Sequence, residues 1–386
     1  MTEPTDRNVF ILGAGFSASA GVPLIHNFLD YSRQYLDDPS SGLQDWEREK
    51  FREVFEFRRK MSQAREKIKI DLDNIEHLFG LVEIARRLDS VSLETRNATV
   101  YLIQKTIELA AGSHKIRGSV AFQAASGFSK SDFPSWLTTQ QGVIPAAFIA
   151  DTYQYFALLI AGLLDGKERF ANRHTTVITF NYDLVLDDAL KDIGVEPKYW
   201  LTEEDVDEKS KPFISLLKLH GSTNWAICGD KNCGDIRVLP GKLTTYPDFR
   251  QTLCYKCLKQ TYQPLLIPPS WEKGEYRDVT QRIWQRAVNE VQKATRICII
   301  GYSMPQTDAF FQYLLTLALA ENHQLYKLVV VDWHTNTEIG ERYNNLLEPV
   351  FKTRRFKFYN QGLRGFLQYA PTELGRGEML SSIGLY

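Results

Sequence analysis

The sequence predicts an α/β protein in which a parallel sheet is the central element, and three short apolar runs carry this prediction. Residues 8–12, 175–180 and 296–300 are rich in aliphatic, aromatic or threonine side chains, and each run ends in glycine or in polar residues. Continuous runs of this length, bounded by turn residues, are typical of strands buried on both faces of a parallel sheet. Ligands bind such sheets at the carboxyl ends of the strands. The search for a functional site therefore begins where these runs end.

Length and composition narrow the class of protein before any motif is considered. A chain of 386 residues is long enough for two or three structural units. Its 46 Lys and Arg residues nearly balance its 47 Asp and Glu residues, so no overall positive field attracts nucleic acid. No apolar run is long enough to span a bilayer, and the N-terminus lacks the segments of a signal peptide. We therefore expect a cytoplasmic protein that binds no membrane and contacts nucleic acid only indirectly, if at all.

The first apolar run breaks into a glycine loop at Gly13-Ala14-Gly15. These glycines allow a tight turn and a close approach to a pyrophosphate, and Ala18 fits the small third position of the G-x-G-x-x-G/A pattern. The following residues are expected to start a helix whose N–H groups face the phosphates. A purely structural turn is the alternative, because small residues also serve close helix–strand packing. The acidic ribose ligand expected about 20 residues further on is missing, since Asp30 falls in a helical pattern.

Two further strand ends place polar side chains beside this loop. Residues 175–180 are followed by Asn181 and Asp183, and a third predicted strand, residues 214–219, is followed by His220. Because the carboxyl ends of parallel strands meet at one edge of a sheet, we expect these side chains in the same crevice. Taken one at a time, Asn181 and Asp183 are equally typical of helix caps, and His220 of a buried core histidine. Their joint position favours a functional site.

The later strands add a second glycine loop and an acidic residue. The run at 296–300 ends in a loop that contains Gly301 and Ser303, and a further predicted strand, residues 328–331, ends in Asp332. Asp332 can accept a hydrogen bond from a ribose hydroxyl and so supply the acidic group that is missing near the first loop. A plain cap at the strand end is the alternative.

Five cysteines include two close pairs, Cys228 with Cys233 and Cys254 with Cys257, separated by twenty residues. Two pairs of thiolates are typical of a tetrahedral structural zinc site in which each pair forms one knuckle. Such a closed site has no open position for water, so we expect the zinc to fold a small module and not to catalyse. The fifth, Cys298, lies in an apolar run and is expected to be a buried strand residue.

The segments between these motifs predict a division into four parts. Residues 43–69 are densely charged with interleaved aromatic residues, which indicates an amphipathic helix whose apolar face is buried or contacts another subunit. That face is the basis for expecting a homo-oligomer. A second helix is predicted after Asn74, which is typical of an N-cap. The predicted parts are a Rossmann-like nucleotide-binding domain (1–26, 173–225 and 262–335), a large helical domain (27–172), a zinc-knuckle module (226–261), and a C-terminal helix and tail (336–386).

In this order, the motifs GAGFSASAGVP, TFNYD, KLHGS, the two cysteine pairs and IGYSMP resemble those of the sirtuin-like (silent information regulator) family. The resemblance implies a Rossmann-like domain with a small zinc module that binds NAD as a substrate to be cleaved. It implies that Asn181 and Asp183 handle the nicotinamide ribose and that His220 acts as a base. The residues that it assigns to the rest of NAD are Gly13, Ala14, Gly15, Ser17, Pro23, Gly301, Ser303 and Asp332.

Two departures separate this chain from the protein deacylases of that family. Pro23 is followed by Leu-Ile-His instead of an Asp-Phe-Arg type segment, so an NAD-contacting arginine is missing. The place of the stretch that pairs with the acyl-lysine peptide holds residues 264–271, whose prolines cannot donate to an added strand. The large helical segment and the GYSMP variant are instead similar to bacterial sirtuin-like proteins of anti-phage defence, which hydrolyse NAD. Some of these work beside a HerA-like ATPase.

The resemblance therefore favours an NAD glycohydrolase that cleaves NAD to nicotinamide and ADP-ribose. Because the leaving group is already cationic, the enzyme need not protonate it and has chiefly to stabilise an oxocarbenium-like ribose. This explains why no pair of acidic catalysts of the glycosidase kind is required. Two alternatives remain open: an NAD-dependent protein-lysine deacylase, and a non-catalytic module that senses NAD or ADP-ribose and assembles with a partner.

Overall fold

The computed structural model confirms the α/β class, because seven parallel strands form its central sheet. The order of these strands across the sheet is β10-β9-β8-β1-β2-β4-β3, and a second sheet has the order β6-β5-β7. The residues that the structure describes are 6–64, 67–68, 70–114, 152–162, 174–202, 213–230, 232–239, 252–267, 277–304, 309–332, 339–343, 356–367 and 369–370. The strands in them are β1 (Asn8–Leu12), β2 (Thr175–Thr179), β3 (Glu196–Lys198), β4 (Phe213–Lys218), β5 (Gly221–Cys228), β6 (Ile236–Val238), β7 (Tyr262–Leu266), β8 (Arg296–Ile300), β9 (Lys327–Val331) and β10 (Phe356–Tyr359).

The middle of the central sheet brings the two glycine loops and the first polar strand end to one edge. All five residues of β1 are buried, and the strand pairs with β2 on one side and β8 on the other. Leu12, the last residue of β1, is in register with Thr179 of β2 and Ile300 of β8. The loops that follow these three strands therefore start at the same level.

Helices surround the sheet and also form a separate core. Within the described residues they are α1 (Ala14–Ser17), α2 (Phe28–Asp37), α3 (Asp45–Ser62), α4 (Ile75–Arg87), α5 (Leu93–His114), α6 (Thr152–Ala161), α7 (Val185–Asp192), α8 (Arg277–Gln292), α9 (Ala309–Ala320) and α10 (Gly362–Phe366). None of them is both long enough and apolar enough to cross a membrane.

The second core lies among α2, α3, α4 and α5. The apolar face of α3 contains Phe51, Val54 and Phe57, and these side chains are buried against the other helices of the same chain. Trp46, at the start of α3, is 44% exposed. The aromatic face that suggested a subunit contact is thus mostly used inside the chain, so it no longer argues for an oligomer.

Helix α6 falls within the predicted helical region, yet it packs on the central sheet. Phe156 lies edge-on to Phe10 of β1 with 5.5 Å between ring centroids, and it also contacts Phe16 of α1 at 5.1 Å. A hydroxyl from the same helix, that of Tyr153, donates to the main-chain oxygen of Phe16 at 2.8 Å. Helix α6 therefore supports the first glycine loop from behind.

The small antiparallel sheet begins almost where β4 ends. Only Leu219 and His220 separate the last residue of β4 from Gly221, the first residue of β5. Gly221 has a φ of +85°, and a Cβ there would lie 2.1 Å from the main-chain oxygen of Leu265 in β7. The chain therefore turns from one sheet into the other through a position that requires glycine, and His220 sits at that turn.

The C-terminal part adds a strand that the sequence did not predict. Residues 336–386 were expected to form a helix and a tail, but β10 (Phe356–Tyr359) pairs in parallel with β9 at the edge of the central sheet. Phe366 of α10 is buried in the same core. The strand is short and only half-buried, so it lacks the continuous apolar run that reveals the interior strands.

Candidate active site

A cavity of about 270 Å³ opens at the carboxyl ends of the central strands. One side of it, the polar half, consists of residues that follow β1, β2, β4, β8 and β9. The other side, the apolar half, comes from the chain before α2 and from α2, α4 and α5. The polar half is lined by Gly13, Ala14, Gly15, Phe180, Asn181, Tyr182, Asp183, His220, Gly301, Tyr302, Ser303 and Asp332, and the apolar half by Val22, Leu24, Ile25, Phe28, Ile75, Phe79, Ile103 and Ile107.

The structure brings the predicted catalytic and NAD-binding residues to this one cavity, with one exception. Each of the three residues predicted to be catalytic lines the cavity. So does each residue assigned to the rest of NAD, including Pro23, except Ser17. Ser17 is fully buried behind the polar half and lines a separate, much smaller cavity. Its hydroxyl accepts a hydrogen bond from the Asn181 side chain at 3.0 Å. Ser17 is therefore placed to support the wall of the cavity and not to touch a ligand in it.

The two glycine loops pack against each other, back to back. The amide of Gly15 donates to the main-chain oxygen of Gly301 at 2.8 Å, and that of Gly13 donates to Ile300 at 3.1 Å. A Cβ on Gly13 would lie 2.6 Å from the oxygen of Gly301, and one on Gly301 would lie 2.2 Å from the nitrogen of Phe16. Close packing, the alternative to pyrophosphate binding, therefore explains why these positions are glycine. The closest approach that they permit is between the loops, and a role in pyrophosphate binding remains a prediction.

The helix after the first loop is only about one turn long. α1 has four residues and passes directly into a 3₁₀ turn at Ala18–Ala20. The amide of Phe16 already donates to the main-chain oxygen of Gly13 at 3.0 Å. A phosphate at this loop would thus not be held by the amides of Gly13, Gly15 or Phe16, each of which has a partner in the protein.

Asn181 is oriented by the first glycine loop. Its Nδ2 atom donates to the main-chain oxygen of Gly13 at 2.9 Å and to Ser17 Oγ at 3.0 Å. Since a main-chain oxygen can only accept, the contact with Gly13 fixes which end of the amide is the nitrogen. Both N–H groups are then in use, and Oδ1 is the atom of this side chain that can accept a hydrogen bond from a ligand.

Tyr182 and His220 form the wall beside Asn181. The Tyr182 hydroxyl donates to the main-chain oxygen of Ile267 at 2.6 Å, and its own main-chain oxygen accepts from Thr223 at 2.9 Å. His220 is 2% exposed, and its ring lies 5.3 Å from that of Phe180 and 6.2 Å from that of Tyr182. The imidazole is therefore held between two aromatic rings at the surface of the cavity.

Asp183 is a buried carboxylate at the base of the polar half. It is 5% exposed, and Oδ1 accepts from the amide of Val185, the first residue of α7, at 3.0 Å. Asp183 thus binds the first amide of α7 from the position before the N-cap residue, Leu184, so the helix-cap alternative is met only in part. Burial raises the pKa of this carboxyl, while the charge of Lys218 and hydrogen bonds from Val185 and Ser17 oppose the increase.

The far end of the polar half lies at the second glycine loop and β9. Tyr302 stacks on Phe180 with ring centroids 4.5 Å apart, and the main-chain oxygen of Ser303 accepts from Arg342 at 2.7 Å. Asp332, 8% exposed, follows β9 at this end of the cavity. A ligand that contacts both Asp332 and His220 would have to extend along the whole row of strand ends.

Sequence reasoning missed the apolar half and two polar residues near it. Ile75 and Phe79 lie one turn apart on α4, where their spacing predicts a helix face but does not distinguish a core contact from a cavity wall. Glu76 and His26 line the same side of the cavity. Lys218 was also missed, although it lies only two positions before His220, because a lysine at the end of a strand is usually solvated.

The four paired cysteines come together in the small sheet. Their Sγ atoms all lie within 4.8 Å of one another, with Cys228 and Cys257 3.5 Å apart and Cys233 and Cys254 3.6 Å apart. Four thiolates about 2.3 Å from one zinc ion would be separated by about 3.8 Å. The four side chains therefore fit a tetrahedral zinc ion and leave no position for a further ligand. Cys298 is buried in β8, away from this group.

Comparison with known proteins identifies a domain. Residues 175–349 match the family model of the SIR2-like domain, a range that includes Asn181, Asp183, His220 and the four cysteines. No curated protein matches the chain. Among solved structures, one of Sir2Tm bound to a propionylated peptide aligns at 13% identity with a TM-score of 0.38, covering 96% of this chain and 94% of that one. A structure of SIR2 with the inhibitor EX-527, 2'-O-acetyl-ADP-ribose and a deacetylated p53 peptide aligns at 13% identity and 0.37, covering 96% and 95%.

Proposed function

The chain is sirtuin-like, with a SIR2-like domain at residues 175–349, and from this premise we propose that it hydrolyses NAD to nicotinamide and ADP-ribose. The observation that carries the proposal is the polar half of the cavity. There an imidazole, a carboxamide and a carboxylate from two neighbouring strand ends line the same space as the first glycine loop. Histidine, asparagine and aspartate in this arrangement suit a reaction at one sugar carbon.

The proposed reaction breaks the bond between C1' of the ribose and the nicotinamide nitrogen. The bonding electron pair leaves with nicotinamide, which becomes neutral, and the oxygen of water forms the new bond to C1'. Because positive charge develops on the ribose, fixed negative groups close to it stabilise the transition state. No acid is needed for the leaving group, in keeping with a polar half that offers one carboxylate beside the histidine.

Each of the three polar side chains has a role that its contacts allow. Asn181 Oδ1 accepts a hydrogen bond from the attacking water or from the nicotinamide carboxamide, since its N–H groups are engaged by Gly13 and Ser17. His220 takes the proton from water or from a ribose hydroxyl. Asp183 orients the ribose from the base of the cavity. Asp332, at the opposite end, would accept from the adenosine ribose.

We assign the zinc site a structural role in this proposal. The cysteines fit a closed four-thiolate site, and β5, which carries Cys228, starts directly after His220. A zinc ion would supply cross-linking of a small sheet whose own core is small, namely Ala226, Cys228, Leu239, Cys254 and Tyr262. The module then holds the turn at His220 and contributes no group to the chemistry.

The assay is release of nicotinamide from NAD by the purified chain, measured together with its native mass. We expect hydrolysis without any added peptide, and a loss of about 100-fold or more in kcat for His220→Ala, within the range of general-base contributions. The control is His323→Ala, which removes an exposed imidazole from the segment between α9 and β9. Equal rates for His220→Ala and wild type would contradict the proposal.

The same assay, repeated with an acylated peptide and accompanied by a measurement of NAD binding, separates the two alternatives. Turnover that requires an acylated peptide would identify a deacylase, and tight NAD binding without turnover would identify a sensor. In a cell, we propose that hydrolysis in the cytoplasm depletes NAD as a bacterial defence against phage. We also propose that the chain forms a homo-oligomer and that a HerA-like ATPase is its partner protein. A fall in cellular NAD upon infection that the His220→Ala variant abolishes would support this role.

A further inference from the structure

A buried lysine lies directly beneath the polar half of the cavity. Lys218, the last residue of β4, is 1% exposed. Its Nζ donates to the main-chain oxygen of Asp183 and, at 3.0 Å, to Oδ2 of Asp187 in α7. Two residues later in the chain comes His220. One ammonium group thus touches the turn that carries Asp183 and belongs to the strand that leads to His220.

The partner of this lysine is itself fixed from a third direction. Oδ1 of Asp187 accepts from the hydroxyl of Tyr199, and the side chain of Asp187 is 2% exposed. The ring of Tyr199 lies edge-on to Trp225 of β5, with 5.2 Å between centroids. The Lys218, Asp187 and Tyr199 side chains, here called the buried triad, therefore connect β4, α7 and the strand that enters the zinc module.

Stability alone is a poor reason for this arrangement. Removing two charges from water is unfavourable, and a buried ion pair is often no more stabilising than well-packed apolar side chains of similar volume. The triad lies next to the predicted site residues: with Ser17, Asn181 and Asp183, two of its members line a small cavity of about 10 Å³, close to the volume that one water requires. Its position is thus better explained by the site than by the core.

We propose that Lys218 is a positioning residue for the reaction at this cavity. Its ammonium group fixes the main chain at Asp183 and places a positive charge beneath that carboxylate, while Asp187 and Tyr199 hold the ammonium in place. The reaction in this inference is the one proposed above, so this part rests on the proposed function. The contacts of Lys218 do not depend on it. Lys218 touches no ligand, because it lies behind the wall that Asp183 forms.

The charges around Asp183 predict how the triad acts on the pH dependence. Lys218 from β4 attracts the carboxylate, Asp187 from α7 repels it, and Ser17 from α1 and the Val185 amide donate hydrogen bonds to it. Burial raises the pKa of Asp183 and Lys218 opposes this, so loss of Lys218 raises that pKa further. Activity that needs the ionised carboxylate is present above the pKa and is lost as the pH falls through it. Removal of Lys218 therefore moves the acid limb of activity to higher pH.

The test is Lys218→Met in the full chain, compared with Lys357→Met, which removes the same charge from an exposed position of β10. We expect kcat to fall by about 100-fold in Lys218→Met because the Asp183 turn is released. We also expect the acid limb of its pH profile for kcat to move to higher pH by about one unit or more. Lys357→Met should behave as wild type in both. A folded Lys218→Met variant with the wild-type kcat and acid limb would overturn the proposal.

Further variants keep the proposal testable if Lys218→Met does not fold. Lys218→Met/Asp187→Asn removes both buried charges, and we expect it to fold and to keep the low kcat. Its acid limb should still move to higher pH, but by less than in Lys218→Met, because Asp187 raises the pKa of Asp183 and its loss offsets part of the change. Tyr199→Phe should shift the limb in the same direction by less. Wild-type pH profiles in both would overturn the positioning role. If the wild-type chain binds NAD without cleaving it, the proposed function fails, and the pH dependence of NAD affinity in the same variants still decides the role of Lys218.

Discussion

The polar and apolar halves of the cavity are built in opposite ways. In the polar half, each member of the Asn181-Tyr182-Asp183 turn is tied to a different element: to the first glycine loop, to the segment after β7 and to α7. In the apolar half, side chains such as Phe79 and Ile103 belong to the helical core and reach the cavity from its surface. The polar half thus gains its shape from hydrogen bonds to main chain, and the apolar half from packing. We infer that chemistry depends on the first and stability on the second.

The largest effect on stability is expected in the apolar half, for Phe79→Ala. Phe79 is 1% exposed and belongs both to the core of α2 to α5 and to the cavity wall. Truncation leaves a void, so the free energy of unfolding should fall by about 3–5 kcal/mol, as measured by chemical denaturation. The folded fraction should keep a kcat close to that of wild type, because no polar contact changes.

The control for this change lies on the same helix. Ile84 of α4 is 51% exposed, and Ile84→Ala should alter the free energy of unfolding by no more than about 0.5 kcal/mol. A Phe79→Ala variant of wild-type stability that had lost most of its kcat would reverse the comparison between the two halves.

A smaller loss is expected where the two glycine loops meet. Gly301 has a φ of +59°, and a Cβ there would lie 2.2 Å from the nitrogen of Phe16, so Gly301→Ala has to strain one loop and displace the other. We expect the free energy of unfolding to fall by about 2–5 kcal/mol, the sum of about 1–2 kcal/mol from left-handed strain and about 1–3 kcal/mol from overpacking. Unlike Phe79→Ala, this variant should also lose activity. The loop that it displaces contains Gly13, whose main-chain oxygen accepts the hydrogen bond that orients Asn181.

Gly42 provides a matched control for the strain term. It has a φ of +78°, but a Cβ there would meet nothing within 4 Å. Gly42→Ala should therefore show only the strain of a left-handed alanine, about 1–2 kcal/mol, with full activity. If both variants lost equal stability and neither lost activity, the contact between the loops would have no role in the site.

The sequence predicted the polar half better than the apolar half for a physical reason. A buried parallel strand is a continuous apolar run, and it must end where polar residues such as Asn181 and His220 begin, so the run itself locates the edge of the sheet. An apolar helix face carries no such marker, since Phe79 looks the same whether it meets a core or a cavity. The spacing of the four cysteines predicted their cluster because two close pairs of thiolates are what a tetrahedral zinc site requires.

Other features depended on contacts far apart in sequence. The burial of Lys218 follows from Asp187 and Tyr199, which nothing in the KLHGS motif indicates. The strand β10 is visible only through its pairing with β9. The absence of a peptide-pairing stretch at residues 264–271 stays a prediction: Pro264 pairs with Ala226 of β5, and residues 268–271 lie outside the part of the chain that the structure describes.

The smallest expected effect concerns the tie between the polar half and the segment after β7. Tyr182→Phe removes the hydroxyl that donates to Ile267 but keeps the ring beside His220 and the main-chain bond from Thr223. The free energy of unfolding should fall by about 1 kcal/mol, the net value of one hydrogen bond. Because Asn181 and Asp183 keep their own ties, kcat should change by less than about threefold, well below the 100-fold expected when the main chain at Asp183 is released. A much larger fall in kcat at this small change in stability, measured on the same preparation, would mean that a single hydroxyl and not the set of separate ties holds the turn.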